Sequence, residues 1–189
     1  MNIKLTRPIV LALLTMGISG TAFSDDDERE HGFFKRMWGG SSSGVAMVDN
    51  ALYQQECGSC HFAYQPGLLP ARSWSKIMLG LDQHFGENAE LGADVVAELS
   101  TYLEKNAADR SDYKRSRKII ASLRSSDTPL RITETPYILR KHNELSPRML
   151  AGNPQVVSLS RCKACHSRAE TGSYSESEIN IPGFGRWDD

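Results

Sequence analysis

The 189-residue chain contains four cysteines, and every one lies in a Cys-x-x-Cys-His run: Cys57-Gly58-Ser59-Cys60-His61 and Cys162-Lys163-Ala164-Cys165-His166. That pentapeptide is the attachment signature of c-type haem. On one helical turn the first and fourth residues can each form a thioether at one porphyrin edge. The fifth then lies under the iron as the proximal imidazole ligand. Two copies that use up the whole cysteine inventory imply two covalently bound haem c groups. Cys57, Cys60, Cys162 and Cys165 would attach them, and His61 and His166 would ligate the irons.

The cysteines have three other readings. Four thiolates suit a tetrahedral zinc, but these pairs lie about a hundred residues apart, whereas zinc ribbons keep them within ~15–20. Zinc also gives no reason for a histidine after both pairs. A redox-active dithiol needs one such motif near a strand–helix junction. Structural disulfides suit an exported chain but leave the histidines unexplained.

Export is expected from the first 24 residues. Lys4 and Arg7 form a basic start, Pro8 to Ile18 an apolar stretch, and Ala22-Phe23-Ser24 a small-residue cleavage site, so the mature chain begins at Asp25. The apolar run is shorter than the ~20 residues of a spanning helix, and the mature chain is not expected to span a membrane. The periplasm is the natural address, because c-type haem is attached outside the bacterial inner membrane. Removing residues 1–24 takes Lys+Arg from 22 to 20 against 23 Asp+Glu, a net charge of −3. Four haem propionates add to it. Nucleic-acid binding has no electrostatic support, and partners with a basic face are favoured through faster encounter.

Residues 25–44 read as a leader: the acidic cluster Asp25 to Glu30, the aromatics Phe33, Phe34 and Trp38, and a Gly/Ser linker from Gly39 to Gly44. Beyond it the chain reads as all-α, an N-terminal haem domain over 45–106 and a smaller, loop-rich helical haem domain over 107–189. A short helix is expected from Val45 to Glu56, ending at the first motif. Ser73 reads as the cap of a second helix, whose apolar face carries Trp74, Ile77, Met78 and Leu81, with His84 continuing the stripe. A third helix runs from Leu91 to Lys105, and a polar bridging helix leads into Ile119, Ile120 and Leu123. Thr135-Pro136 starts another, with Ile138, Leu139, His142 and Leu145 at helical spacing. Asn153-Pro154 repeats that start signal before the second motif. Neither half has a large aliphatic core, as expected where a cofactor forms the centre.

Of five histidines, two are proximal and three are spare. His84 lies 23 residues after His61, and His142 lies 24 before His166. Each half thus holds one spare histidine on an apolar stripe, and these are assigned as the sixth ligands. Spacing leaves open a crossed arrangement in which each half lends its histidine to the other haem. Met78 and Met149 are rival ligands, and a thioether would raise the reduction potential. His31 lies in the leader, solvated. Pro66-Gly67-Leu68-Leu69-Pro70 is placed to offer a carbonyl to a proximal imidazole. Arg72, Arg131, Arg140 and Arg186 are candidates for holding propionates.

The run from Cys57 to Trp74, Cys-Gly-Ser-Cys-His-Phe-Ala-Tyr-Gln-Pro-Gly-Leu-Leu-Pro-Ala-Arg-Ser-Trp, resembles the bacterial dihaem cytochrome c family. So do His84-Phe85-Gly86-Glu87-Asn88-Ala89, Arg131 to Tyr137, and Ile181-Pro182-Gly183-Phe184-Gly185-Arg186-Trp187. The resemblance spans Val45 to Trp187 and implies two bis-histidine, low-spin irons, with His84 and His142 distal. The first half is also similar to a class I cytochrome c domain, with His84 where the usual methionine ligand falls. The resemblance implies an electron carrier rather than an enzyme, working with redox proteins such as a membrane b-type cytochrome and a monohaem cytochrome c. The alternative is a dihaem enzyme of peroxidase type, which needs one iron with an open site.

Overall fold

The computed structural model describes residues 44–187. The expected signal peptide, its cleavage site near Ser24 and Asp25, nearly all of the leader, and His31 lie outside the described residues. Five α-helices are present among the described residues: α1 Ala51–Gly58, α2 Ala71–Met78, α3 Ala93–Lys105, α4 Lys114–Ala121 and α5 Pro136–Lys141. Short 3-10 turns join them, and two two-residue strands, β1 Asn180–Ile181 and β2 Gly185–Arg186, pair antiparallel. The fold is all-α with very little strand. No helix among the described residues is long and apolar enough to cross a membrane.

Local chemistry explains most helix boundaries and corrects some expected ones. The first helix starts at Ala51 rather than Val45, because the Asn50 side chain accepts the Tyr53 amide at 2.7 Å as a cap. Val45 is instead fully buried, and its amide donates to Gly172 O at 3.2 Å. Ser73 does not cap α2. It lies inside the first turn, buried, while the Asp109 carboxylate accepts the free Ala71 amide from 38 residues away. α2 also stops at Met78, before Leu81 and His84. The Thr135-Pro136 start holds, with proline where its missing amide costs nothing. Thr135 Oγ1, however, donates to Ile132 O rather than capping the helix. Asn153-Pro154 starts no helix. Asn153 instead accepts the Gln155 amide and donates to Pro182 O at 2.7 Å, making a local turn that ties down the tail.

Two apolar clusters hold the elements together. Tyr53, Leu69, Trp74, Met78, Leu99, Leu103 and Ala107 pack between α1, α2 and α3. Val45, Leu68, Ile119 and Tyr137 form the second, around α4 and the start of α5. Each cluster draws residues from both sides of position 106, since Ala107 belongs to the first and Leu68 to the second. Residues 42–189 make one compact unit.

Candidate haem sites

Helix α1 delivers the first motif. Cys57 is in its last turn, and Cys60 and His61 follow, exposed, as the chain leaves the helix. His61 Nδ1 lies 2.7 Å from Phe62 O. A carbonyl can only accept, so Nδ1 carries the proton and Nε2 is left free for a metal. The stretch Pro66 to Pro70 does not supply this carbonyl. Its oxygens are used in packing: Pro66 O accepts Trp74 Nε1, Gly67 O accepts Ser116 Oγ, and Leu69 O accepts the Ala108 amide.

His84 reaches the site from a turn, not from a helix face. The chain turns at Gly80, makes a 3-10 turn over Leu81–Gln83, and reverses through Phe85 (φ 54°) and Gly86 (φ 103°). The Glu87 amide donates to His84 O at 3.1 Å and closes the reversal. The His84 ring lies opposite His61 with centroids 6.1 Å apart and planes 14° from parallel. Two imidazoles bound trans to one metal through bonds of about 2 Å, as imidazole makes to zinc, have centroids roughly 6 Å apart. Burial first, then the charges of His61 and Arg131, holds His84 below the ordinary histidine range. The neutral imidazole is the ligating form. Arg131 lies 4.1 Å from the centroid of the Phe85 ring, which in turn packs edge-on against His84. A cleft of about 630 Å³ opens beside His61, lined by Cys60, Phe62, Ala63 and Val48, with Lys163 and Glu170 from the second half.

The second motif sits on irregular chain. A 3-10 turn over Cys162–Ala164 carries it, closed by the His166 amide to Cys162 O at 2.8 Å, and the Asn180 amide donates to Cys165 O. His166 Nδ1 is buried with no hydrogen-bond partner. Burial first, then the charges of His142 and Arg115, pushes His166 down to about 4. His142 caps the short α5, and its Nδ1 donates to Ile138 O at 2.8 Å, again leaving Nε2 free. The His142 and His166 centroids are also 6.1 Å apart, but the planes cross at 73°. The separation is the same at both sites, so either pair could hold one iron between its rings. Each pair joins histidines from the same half of the chain.

The thiol environments do not suit the rival readings. Burial first, then Glu56, pushes Cys57 up to about 11, and burial pushes Cys162 up to about 11 and raises Cys165. A redox dithiol needs the opposite shift. All four cysteines are free of disulfides. Among the described residues, no three His, Cys, Asp or Glu side chains converge as a zinc site would need. Met78 is buried in the first core cluster, a packing role. Of the arginines proposed for propionates, Arg72 bonds the carbonyls of Asp127 and Arg124, Arg140 lies over Tyr137, and Arg186 bonds Ser177 O.

Sequence reasoning missed Arg115, Tyr64 and Tyr174. Arg115 donates to Tyr137 Oη at 3.0 Å and to Tyr174 O at 2.9 Å, and its Nε is buried without a partner. Tyr174 lies 5.3 Å from His166 and Tyr64 5.3 Å from His61, ring to ring. Arg115 was hidden in the basic run Lys114 to Lys118, where only the burial of Ser116 and Ile119 marks an inward face.

Comparison with known proteins places the chain in a family. The family model for dihaem cytochrome c matches residues 53–174. A dihaem cytochrome c structure from Shewanella baltica is 43% identical with a TM-score of 0.62, covering 75% of this chain and all of that one. Two structures from Rhodobacter sphaeroides are similar. One is 44% identical with a TM-score of 0.62 over 69% of this chain and 100% of its own, and the other is 43% identical with a TM-score of 0.55 over 68% and 99%. Nothing among the curated proteins matches. The family match, whose span includes both attachment motifs, establishes that the chain belongs to the dihaem cytochrome c family and carries two covalently bound haem c groups.

Proposed function

We propose that the protein is a periplasmic carrier of single electrons, not an enzyme, with both irons closed by paired histidines. The observation that supports this reading best is the pairing of each motif histidine with one spare histidine at 6.1 Å, His61 with His84 and His166 with His142. Each haem supplies one-electron exchange at its iron. His61, His84, His142 and His166 would hold the two irons, and irons held so would bind no peroxide, oxygen or other small ligand. His61 and His142 each hold a proton on Nδ1 through a backbone carbonyl, which fixes the ring and raises ligand basicity. Cys57, Cys60, Cys162 and Cys165 fasten the porphyrins, so the groups remain bound in both redox states.

The partners proposed are redox proteins, among them a membrane b-type cytochrome and a monohaem cytochrome c. Contacts of this kind are small and transient. Export rests on the sequence of residues 1–24, and mass spectrometry of the mature protein is expected to show a start at Asp25 with the mass of two added haems. The main test is the optical spectrum of the reduced protein with and without carbon monoxide. A low-spin spectrum unchanged by the gas is expected. An adduct at either iron would replace this reading with the peroxidase-like one.

A further inference from the structure

A polar contact set joins the surroundings of the two sites. The Tyr64 ring packs 5.3 Å from His61, and its hydroxyl donates to Ser160 O at 2.7 Å, two residues before Cys162. The Tyr174 ring packs 5.3 Å from His166, and its hydroxyl donates to Gln65 Oε1 at 2.6 Å. Gln65 is fully buried, and its Nε2 donates to Ala169 O at 2.5 Å. Two adjacent residues beside the first motif thus reach 96, 104 and 109 positions along the chain to grip both flanks of the second. Apolar packing across the same seam, Leu68 on Ile119 and Tyr137, has no direction and tolerates sliding. Hydrogen bonds that are buried, as Gln65 to Ala169 is, or partly buried, as the two phenol bonds are, resist it, since displacement leaves polar groups unpaired.

We propose that Tyr64, Gln65 and Tyr174 form a polar strut that holds the two proximal histidines at one fixed separation and orientation. The inference rests on the reading of His61 and His166 as iron ligands. The strut's role is to set the geometry for electron exchange inside the chain. One electron leaves one centre and arrives at the other, with no proton moved.

The test is circular dichroism in the Soret region on the oxidised protein with both haems attached. Two porphyrins held close at a fixed angle give a paired positive and negative band, which the wild type is expected to show. Tyr64→Phe and Tyr174→Phe keep the rings and remove only the hydroxyls. Each is expected to weaken the couplet, and the double variant to lose about half or more of it, once the sites can shift by more than the ~0.5 Å that a locked shell permits. Tyr102→Phe, which loses a phenol bonded to the Asp49 amide within the first half, is expected to leave it unchanged. A wild type without a couplet, or a double variant with the wild-type couplet, overturns the strut. If the double variant fails to take up both haems, the two single variants decide in the same way. The absorption spectrum keeps the two readings apart: a carbon monoxide adduct in the wild type defeats the carrier reading, while the couplet still judges the strut.

Discussion

At the first motif His61 is exposed at the end of α1, and its ring lies within 14° of parallel to His84. At the second, His166 is half-buried on irregular chain and crosses His142 at 73°. His61 Nδ1 is bonded to a carbonyl, whereas His166 Nδ1 is buried without a partner and Arg115 stands close by. The same pentapeptide thus meets two environments. Burial and a nearby cation both disfavour the more positive ferric state, and a less basic imidazole stabilises it less. The second haem should therefore have the higher potential of the two. The lesson is that the motif decides attachment, while the surroundings tune each iron.

The comparison is broken most directly by removing one distal histidine at a time. His84→Ala should turn only the first iron high-spin and open to carbon monoxide, and His142→Ala only the second. In paramagnetic resonance of the oxidised protein, near-parallel imidazoles give a rhombic low-spin signal and crossed ones a far more anisotropic signal. Each variant should erase one signal and leave the other. Loss of both, or of neither, would defeat the pairing.

The supporting cores differ too, with seven buried residues in the first cluster and four in the second. Leu99→Ala, emptying the centre of the larger, should cost about 2–5 kcal/mol in denaturant unfolding of the haem-loaded protein. Ile119→Val in the smaller should cost only about 0.5–1.5 kcal/mol. Gly172 links the second half to Val45. Its φ is 72°, and an added Cβ would collide with Val45 O. Gly172→Ala should thus destabilise by more than about 1 kcal/mol, since both the left-handed backbone and the close approach oppose a side chain. The finest cut is Arg115→Gln, which removes the cation near the second site. Redox titration should show the second potential falling by roughly 60 mV, about a tenfold change in a one-electron equilibrium, with the first unmoved.

Much of the site was legible because covalent chemistry is written in short runs. Cys57 to His61 and Cys162 to His166 need no partner elsewhere in the chain to declare a haem. His84 shows a subtler case. Its position was read from a helical stripe that does not exist, because α2 ends at Met78, yet its ring does face His61. The count of histidines per half carried that inference, not the periodicity. Ser73 and Asn153 misled for one reason: a hydroxyl or amide near a helix start reads as a cap, but here the helix end was satisfied by Asp109 and the turn by Pro182. The arginines chosen from sequence for propionates bond backbone carbonyls or lie over rings, and Arg115, beside the second site, had no local mark.

By itself, then, the sequence determined two covalent attachment points, their proximal imidazoles, and a helical chain too poor in aliphatic residues to dispense with its cofactors. Those depend on residues within five positions of one another or on composition, which no folding step can alter. Only the tertiary structure decided which spare histidine meets which motif, at what angle their rings stand, and how Gln65 comes to bind Ala169. These are contacts between segments up to about a hundred residues apart, chosen by where buried polar groups can find partners.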